Sequence, residues 1–234
     1  MIYNKKYNTK PILIHMPGRI KFIPTWNKFS NSKLVFNHVL PKELTIITFG
    51  NNKHYNNKFN LFENSLENNK LSYLKLGNEI EHWINTKKID LISENINNIK
   101  TKYVLFADNS DVLLVNKIDR ILDIFLQFDC KALFNSEINF YPKLLGDEIL
   151  NFEKKIFKNS FLNAGLWITE LSFVKIIIKD LMELKLNSSI TSEQYFYKKV
   201  YLKYFPLIKV DHKCEIFQGL NRIPSSEICF KYDF

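Results

Sequence analysis

The run Tyr103-Val104-Leu105-Phe106-Ala107 leads directly into Asp108-Asn109-Ser110-Asp111. A short apolar run of this kind reads as a buried strand, and the loop after it sits at one end of a sheet. Two carboxylates three residues apart on such a loop can converge on one hard cation. A divalent ion there would neutralise a diphosphate and stabilise it as a leaving group, which is Lewis-acid catalysis. The same four residues could instead form a turn whose Asp side chains cap backbone N–H groups. The spacing alone leaves both readings standing.

The elements that must position this loop can be read along the chain. Pro11-Ile12-Leu13-Ile14-His15 is an apolar run ending in a polar residue, as in a buried strand that delivers a side chain. Residues 25–42 are mixed and polar, a connection. Leu44–Phe49 reads as a central strand closed by Gly50, and residues 71–77 as a second strand ending in glycine. A helix is expected over 57–68. From residue 79 to 100, Ile80, Trp83, Ile84, Ile89, Ile92, Ile96 and Ile99 recur at helical spacing, which predicts one helix on a sheet. Further helices are expected over 117–128, 146–157, 171–184 and 193–203. Further strands are expected at 132–136 and near 165–168, 207–210 and 227–231. This alternation gives an α/β fold with a mainly parallel sheet. Ligands bind such sheets at the carboxyl ends of strands, where Thr48, Asp108 and Glu137 fall.

Composition narrows the classes. With 234 residues, 46% of them hydrophobic, and only 6 Gly and 7 Pro, the chain should fold as one domain of ordinary size. Its net charge of +9 suits anionic partners such as nucleic acid, phosphorylated ligands or a membrane surface, or is simply a solvated lysine-rich surface. The lysines are dispersed, and no nucleic-acid-binding motif accompanies them. Cys130, Cys214 and Cys229 are far apart and not in metal-ligand spacing, so buried thiols in a reducing compartment are expected. The first ten residues lack the apolar core of a signal peptide, and no stretch approaches the ~20 apolar residues of a membrane span. A cytoplasmic protein is expected, with a peripheral membrane contact left open.

An ordered series of blocks supplies context for the acidic loop. Tyr103–Val115 resembles the corresponding stretch of the collagen hydroxylysine glycosyltransferase domain of lysyl hydroxylases and of their procollagen galactosyltransferase relatives. Ala132–Glu137 followed by Tyr141-Pro142 is similar to that family's "FSAE…WP" block, and Phe161-Leu162-Asn163-Ala164-Gly165 to its "FLNSG". Ser192–Tyr197 resembles "DDQLFY", and Val210-Asp211-His212-Lys213 with Ile216-Phe217-Gln218 resembles "LDH…IFQ". The resemblance spans roughly residues 44–234. It implies a GT-A glycosyltransferase that moves a hexose from a UDP-sugar to an acceptor hydroxyl on a glycan, protein or lipid, with Mn2+ or another divalent cation. By the same resemblance Asp108 and Asp111 hold the ion, and Thr48 and Trp83 lie near the uridine. Glu137, Asn163, Glu193 and Gln194 then face the sugar or acceptor as catalytic candidates. Bland readings stand beside these: Trp83 as core, Asn163 as turn chemistry, Glu193 and Gln194 as polar residues of a first helical turn, and Asp211-His212 as a structural pair.

Two departures bear on the chemistry. Ser110 stands where the family has an aromatic residue, and the family's acidic run before Gln is Thr191-Ser192-Glu193 here, with one carboxylate. In the family the third metal ligand is a His in a C-terminal H-x-x-G-x-x-K segment, which would lie beyond Lys231-Tyr232-Asp233-Phe234. The same spacing occurs at the front, in His15-Met16-Pro17-Gly18-Arg19-Ile20-Lys21 after an apolar run. An imidazole would complete the ligand set, Gly18 would let backbone approach the phosphates, and Lys21 would offset their charge. The expectation is one circularly permuted domain: residues 1–21 as the moved metal and phosphate segment, 22–43 as a connection, and 44–234 as the main body. A catalytically inactive module binding nucleotide or glycan is the alternative in function.

Overall fold

The computed structural model describes residues 2–17, 34–50, 60–223 and 225–230. Two short strands come first, β1 (Ile2–Asn4) and β2 (Leu13–His15). Next come β3 (Leu44–Phe49), helix α1 (Leu61–Asn68), β4 (Leu74–Leu76) and helix α2 (Lys87–Asn95). β5 (Tyr103–Asp108), β6 (Val112–Leu114), α3 (Ile121–Gln127) and β7 (Ala132–Glu137) follow. The chain continues through α4 (Gly146–Ile156), β8 (Phe161–Glu170), α5 (Leu171–Leu186) and α6 (Glu193–Tyr204). β9 (Ile208–Val210), β10 (Phe217–Gly219) and β11 (Ile228–Phe230) complete it.

The main sheet has six strands in the order β4-β3-β5-β8-β7-β9. β3 is parallel to β4 and β5, and β7 is parallel to β9, whereas β8 runs antiparallel to both β5 and β7. The sheet is thus mixed, and the fold is the α/β architecture with flanking helices expected for GT-A. Along β5 the side chains alternate between two cores, as a pleated strand requires. Val104 and Phe106 join the core under α2, α5 and α6, while Tyr103, Leu105 and Ala107 face the other core beside α1 and α3. With both faces covered, its strands read as nearly continuous apolar runs.

The aromatic content is used across the strands. Phe106, Trp167 and Phe134 are register neighbours on β5, β8 and β7. Their rings stack in series, with centroids 4.3 Å and 4.9 Å apart. Such cross-strand pairs add about 0.5–1.5 kcal/mol each beyond the area they bury.

The smaller sheets carry the chain's front. β2 lies between β6, antiparallel, and β10, parallel, while β1 pairs antiparallel with β11 so that Ile2 faces Phe230. β1, β6 and β10 lie outside the strands expected from sequence. The helix expected over 79–100 is shorter, because Thr86 stands at the N-cap of α2 and residues 79–86 form turns. Asn163, for which turn chemistry is the alternative reading, lies inside β8, which begins earlier than the strand expected near 165–168. Among the connection's residues, Leu34 packs against the small core of β1 and β2, and Phe36 donates its N–H to Asn69 Oδ1 at 2.7 Å. Trp26 and Phe29 of the same connection lie outside the described residues. No helix among the described residues is long and apolar enough to cross a membrane.

Helix α6 is fixed to α4 by a buried ion pair. Lys198 Nζ donates to Glu153 Oε2 at 2.5 Å, and Glu153 Oε1 accepts from the Leu162 N–H at 2.7 Å. The ammonium also lies 4.6 Å from the Phe140 ring centroid. Removing one partner strands the other charge in the core, at a cost of about 3–5 kcal/mol. Lys198→Ala should therefore lose that much stability in chemical denaturation, with a fall in midpoint and little change in slope.

Candidate active site

The acidic loop is held by its second residue. Asn109 Oδ1 accepts the Glu63 N–H at 2.9 Å, and the Asn109 carbonyl accepts the Phe62 N–H at 2.9 Å. Its Nδ2 donates to Asn60 Oδ1 at 3.1 Å and to Glu63 Oε2 at 3.3 Å. The first turn of α1, whose own N-cap side chain makes no capping bond, is thereby satisfied from the loop. Asp108 and Asp111 are held on either side of this anchor.

β2 brings His15 to the same place. The strand pairs with β6, which follows Asp111, and the Met16 N–H donates to the Asp111 carbonyl at 2.9 Å. His15 Nε2 is consequently 3.5 Å from Asp111 Oδ1, and both side chains are buried. Ligand atoms of His15, Asp108 and Asp111 all lie within 4.8 Å of one another. Gly165 makes the space for this meeting. A Cβ there would overlap the His15 ring and come within 2.8 Å of both Asp108 Oδ2 and His15 Nε2. The register between β7 and β8 shifts between Phe134 and Asn135, which bends β8 at this point.

Beyond Gly165 lies a polar cluster. Glu137 Oε1 accepts from Gln194 Nε2 at 2.6 Å and from Asn163 Nδ2 at 3.2 Å. Asn163 Oδ1 takes the Gly165 N–H at 3.0 Å, and Gln194 Oε1 the Ala164 N–H at 3.2 Å. Both amides therefore keep local structure and orient one carboxylate. Glu193, at the start of α6, is buried and accepts from Lys88 Nζ at 2.8 Å; the same ammonium donates to Asp108 Oδ1.

Charge follows from this geometry. Burial raises Asp108 above its usual range against the pull of Lys88, with Asp111 and Glu193 adding to the rise. Burial raises Glu137 as well, against its two amide donors. His15 is disfavoured as a cation by burial, yet Asp111, Asp108 and Glu137 outweigh that and hold it above its ordinary value. Burial likewise opposes the Lys88 ammonium, and Asp108 with Glu193 prevails, holding it above the usual lysine range.

The donor set fits a divalent cation. Two ligand atoms, each about 2.1 Å from one ion, sit about 3–3.5 Å apart at octahedral to tetrahedral angles, and one imidazole with two carboxylates suits an ion of the manganese kind. His15 Nε2 is buried and makes no hydrogen bond, so a ligand there would satisfy it.

The other expected residues fare differently. Thr48 is fully buried and donates its hydroxyl to the Ala107 carbonyl at 3.0 Å, so its side chain serves the β3–β5 pair. Trp83 is not on a helix; it is half-buried against the core of α2, and its Nε1 donates to Asn85 Oδ1 at 3.3 Å. A Cβ on Gly77, whose φ is +90°, would come within 2.8 Å of its ring. Gly18 and Lys21 lie outside the described residues. Asp211 and His212 are structural but separate: Asp211 accepts the N–H groups of Glu215, Ile216 and Phe217, while His212 stacks on Phe157 and bonds Ser160. Sequence reading missed Lys88, because a lysine in a Lys-Lys pair at a helix start resembles an ordinary solvated one.

Residues 40–232 match the family model for the PLOD GT domain, and His15 lies N-terminal to that match. Among solved structures the chain is similar to a glycosyltransferase involved in the glycosylation of the major capsid of PBCV-1. That likeness has 14% identity and a TM-score of 0.46, and covers 71% of this chain and 80% of the other. No curated protein sequence gives a significant match.

The close approach at Gly165 is directly testable. Gly165→Ala must displace the His15 ring or the Asp108 carboxylate, so Mn2+ affinity by calorimetry should fall at least about tenfold, about 1.4 kcal/mol. A variant that folds and binds Mn2+ as the parent does would show that the glycine makes no room for the site.

Proposed function

The chain belongs to the PLOD GT domain family of glycosyltransferase domains, and from that premise we propose that it moves a hexose from a UDP-sugar to an acceptor hydroxyl. The observation that carries this reading is the convergence of His15, Asp108 and Asp111 at the ends of two strands. These three side chains would hold Mn2+ or a similar divalent cation. When bound, that ion supplies charge neutralisation to the departing diphosphate.

The chain's own residues do the rest. Lys88 keeps an ammonium beside the carboxylates, where it offsets phosphate charge. Glu137 has one oxygen committed to Asn163 and Gln194, and its other oxygen can accept from a sugar or acceptor hydroxyl. Trp83 and the end of β3 border the side proposed for uridine; Gly18 and Lys21, proposed as phosphate contacts, lie outside the described residues. Holding donor and acceptor together in this fixed geometry removes much of the entropic barrier. Nothing in the fold supports the peripheral membrane contact.

The segment that carries His15 is proposed to be circularly permuted within a single domain. β1 pairs antiparallel with β11, and β2 runs parallel beside β10, with Leu220 donating its N–H to the His15 carbonyl at 2.8 Å. A chain passing from β11 through β1 to β2 would therefore reach His15 by a short local path.

A panel of nucleotide sugars, incubated with and without Mn2+, tests the activity. Release of UDP from a UDP-hexose only in the presence of Mn2+ is expected. Donor binding without release from any sugar would favour a binding module. Asp108→Asn and Asp111→Asn should each weaken Mn2+-dependent UDP binding at least about tenfold with the fold retained, and His15→Ala should weaken Mn2+ binding itself. Because Glu193 orients Lys88, Glu193→Gln should lower transfer more than donor binding. Equal transfer rates for parent and variant would reduce Glu193 to a helix-start residue.

A further inference from the structure

Asn135 touches His15 from the side opposite the carboxylates. It lies on β7 directly after the apolar run Ala132–Phe134, is fully buried, and sits where the β7–β8 register shifts. Its Nδ2 lies 3.2 Å from His15 Nδ1. Its Oδ1 is buried with no hydrogen-bond partner, as is His15 Nε2 on the far side of the ring.

A neutral imidazole has one N–H, and the hydrogen bond at one nitrogen decides which nitrogen carries it. With the amide nitrogen of Asn135 facing Nδ1, a neutral His15 would accept at Nδ1 and carry its proton on Nε2, 3.5 Å from Asp111 Oδ1. In that form Nε2 cannot ligate an ion. Rotating the amide by a half-turn places its oxygen against Nδ1 instead. Nδ1–H then donates to Asn135 Oδ1, and Nε2 turns its lone pair toward Asp108 and Asp111. The same rotation gives the isolated Oδ1 a partner.

We infer that Asn135 is a positioning residue for the metal site, its amide selecting the His15 tautomer and turning to admit the cation. This rests on the metal reading proposed above. It places an amide in the role that a carboxylate or carbonyl behind a metal-bound imidazole usually fills, where loss typically costs 10–100-fold in affinity.

Calorimetric titration of Mn2+ alone into the parent, Asn135→Leu, Asn135→Asp and His15→Ala proteins tests it. Asn135→Leu, of similar volume, should bind about 10–100-fold more weakly. Asn135→Asp, a permanent acceptor for Nδ1–H, should bind at least as tightly as the parent. Side-chain 15N spectra of the parent should show His15 protonated at Nε2 without metal and at Nδ1 when loaded with diamagnetic Zn2+. If the parent binds no Mn2+, the metal reading fails and this inference with it. If His15→Ala loses binding while Asn135→Leu retains parental affinity, this inference alone fails. Weak binding by both Asn135 variants would make Asn135 a packing residue and overturn the role. Should Asn135→Leu not fold, an unchanged His15 tautomer on loading the parent would overturn it equally.

Discussion

Four carboxylates, those of Asp108, Asp111, Glu137 and Glu193, meet in one region facing the Lys88 ammonium and the His15 imidazole. Three of the four residues are buried, and the side chain of Asp108 is only 22% exposed. Like charges brought together out of water raise one another's cost of ionisation. Asp108 and Glu137 show this, both held above their usual range. An ammonium relieves that cost on the side of Glu193, and a divalent cation would relieve it on the side of His15. The surrounding structure keeps the groups from moving apart: Asn109 ties the loop to α1, Gly165 leaves no Cβ to separate His15 from Asp108, and α6 is fixed through Lys198 and Glu153.

His15 comes from a segment with little to hold it locally. A strand of three residues cannot stand alone in water, and β2 persists because it is laddered on both sides and buries Leu13 and Ile14 completely. Its imidazole ends in the same place as two carboxylates from β5 and the loop after it. A cation shared by the three would bind the folded arrangement and not the separated segments, so it would add to the stability of β2 by mass action. The family match begins after this segment, so the route of β1 and β2 along β11 and β10 is what joins His15 to the rest of the pocket.

The parts of this arrangement legible in the sequence are those with a pattern. The apolar run Tyr103–Ala107 announced β5, and the apolar-rich Leu44–Phe49 and Ala132–Phe134 announced β3 and β7, because strands buried on both faces show little polar alternation. Asp108, Asp111 and His15 were legible as candidates through the spacing of the acidic pair and of the His15 segment, although the pair's spacing suits a capping turn equally well. Lys88 was not legible, since burial and not residue type makes it unusual. Asn135, at the polar end of β7, carries no signal of its own in the sequence; only its contact with His15 points to the role proposed for it. Trp83 was misread because its spacing matched the isoleucines that follow, while Asn85 and Thr86 between them favour turn and cap over helix. β1 and β10 carry no periodic signal at three residues; their existence depends on pairing with strands distant in sequence.

The single acidic residue in Thr191-Ser192-Glu193 changes meaning once Lys88 is seen. A longer run of carboxylates at this point would add negative charge to a region already holding Asp108, Asp111 and Glu137. Here one carboxylate meets one ammonium at 2.8 Å, and that ammonium also serves Asp108. Committed in this way, Glu193 fixes where Lys88 sits. Glu137 has a different balance: its donors are neutral amides, its burial is nearly complete, and its carboxyl is held above the usual range. Of the two, Glu137 is the group whose charge can respond to a hydroxyl brought against it, while Glu193 and Lys88 form a fixed dipole beside the cation site. On the proposed reading, the pocket divides at Gly165 into a phosphate side built on full charges and a sugar side built on amides around one carboxyl.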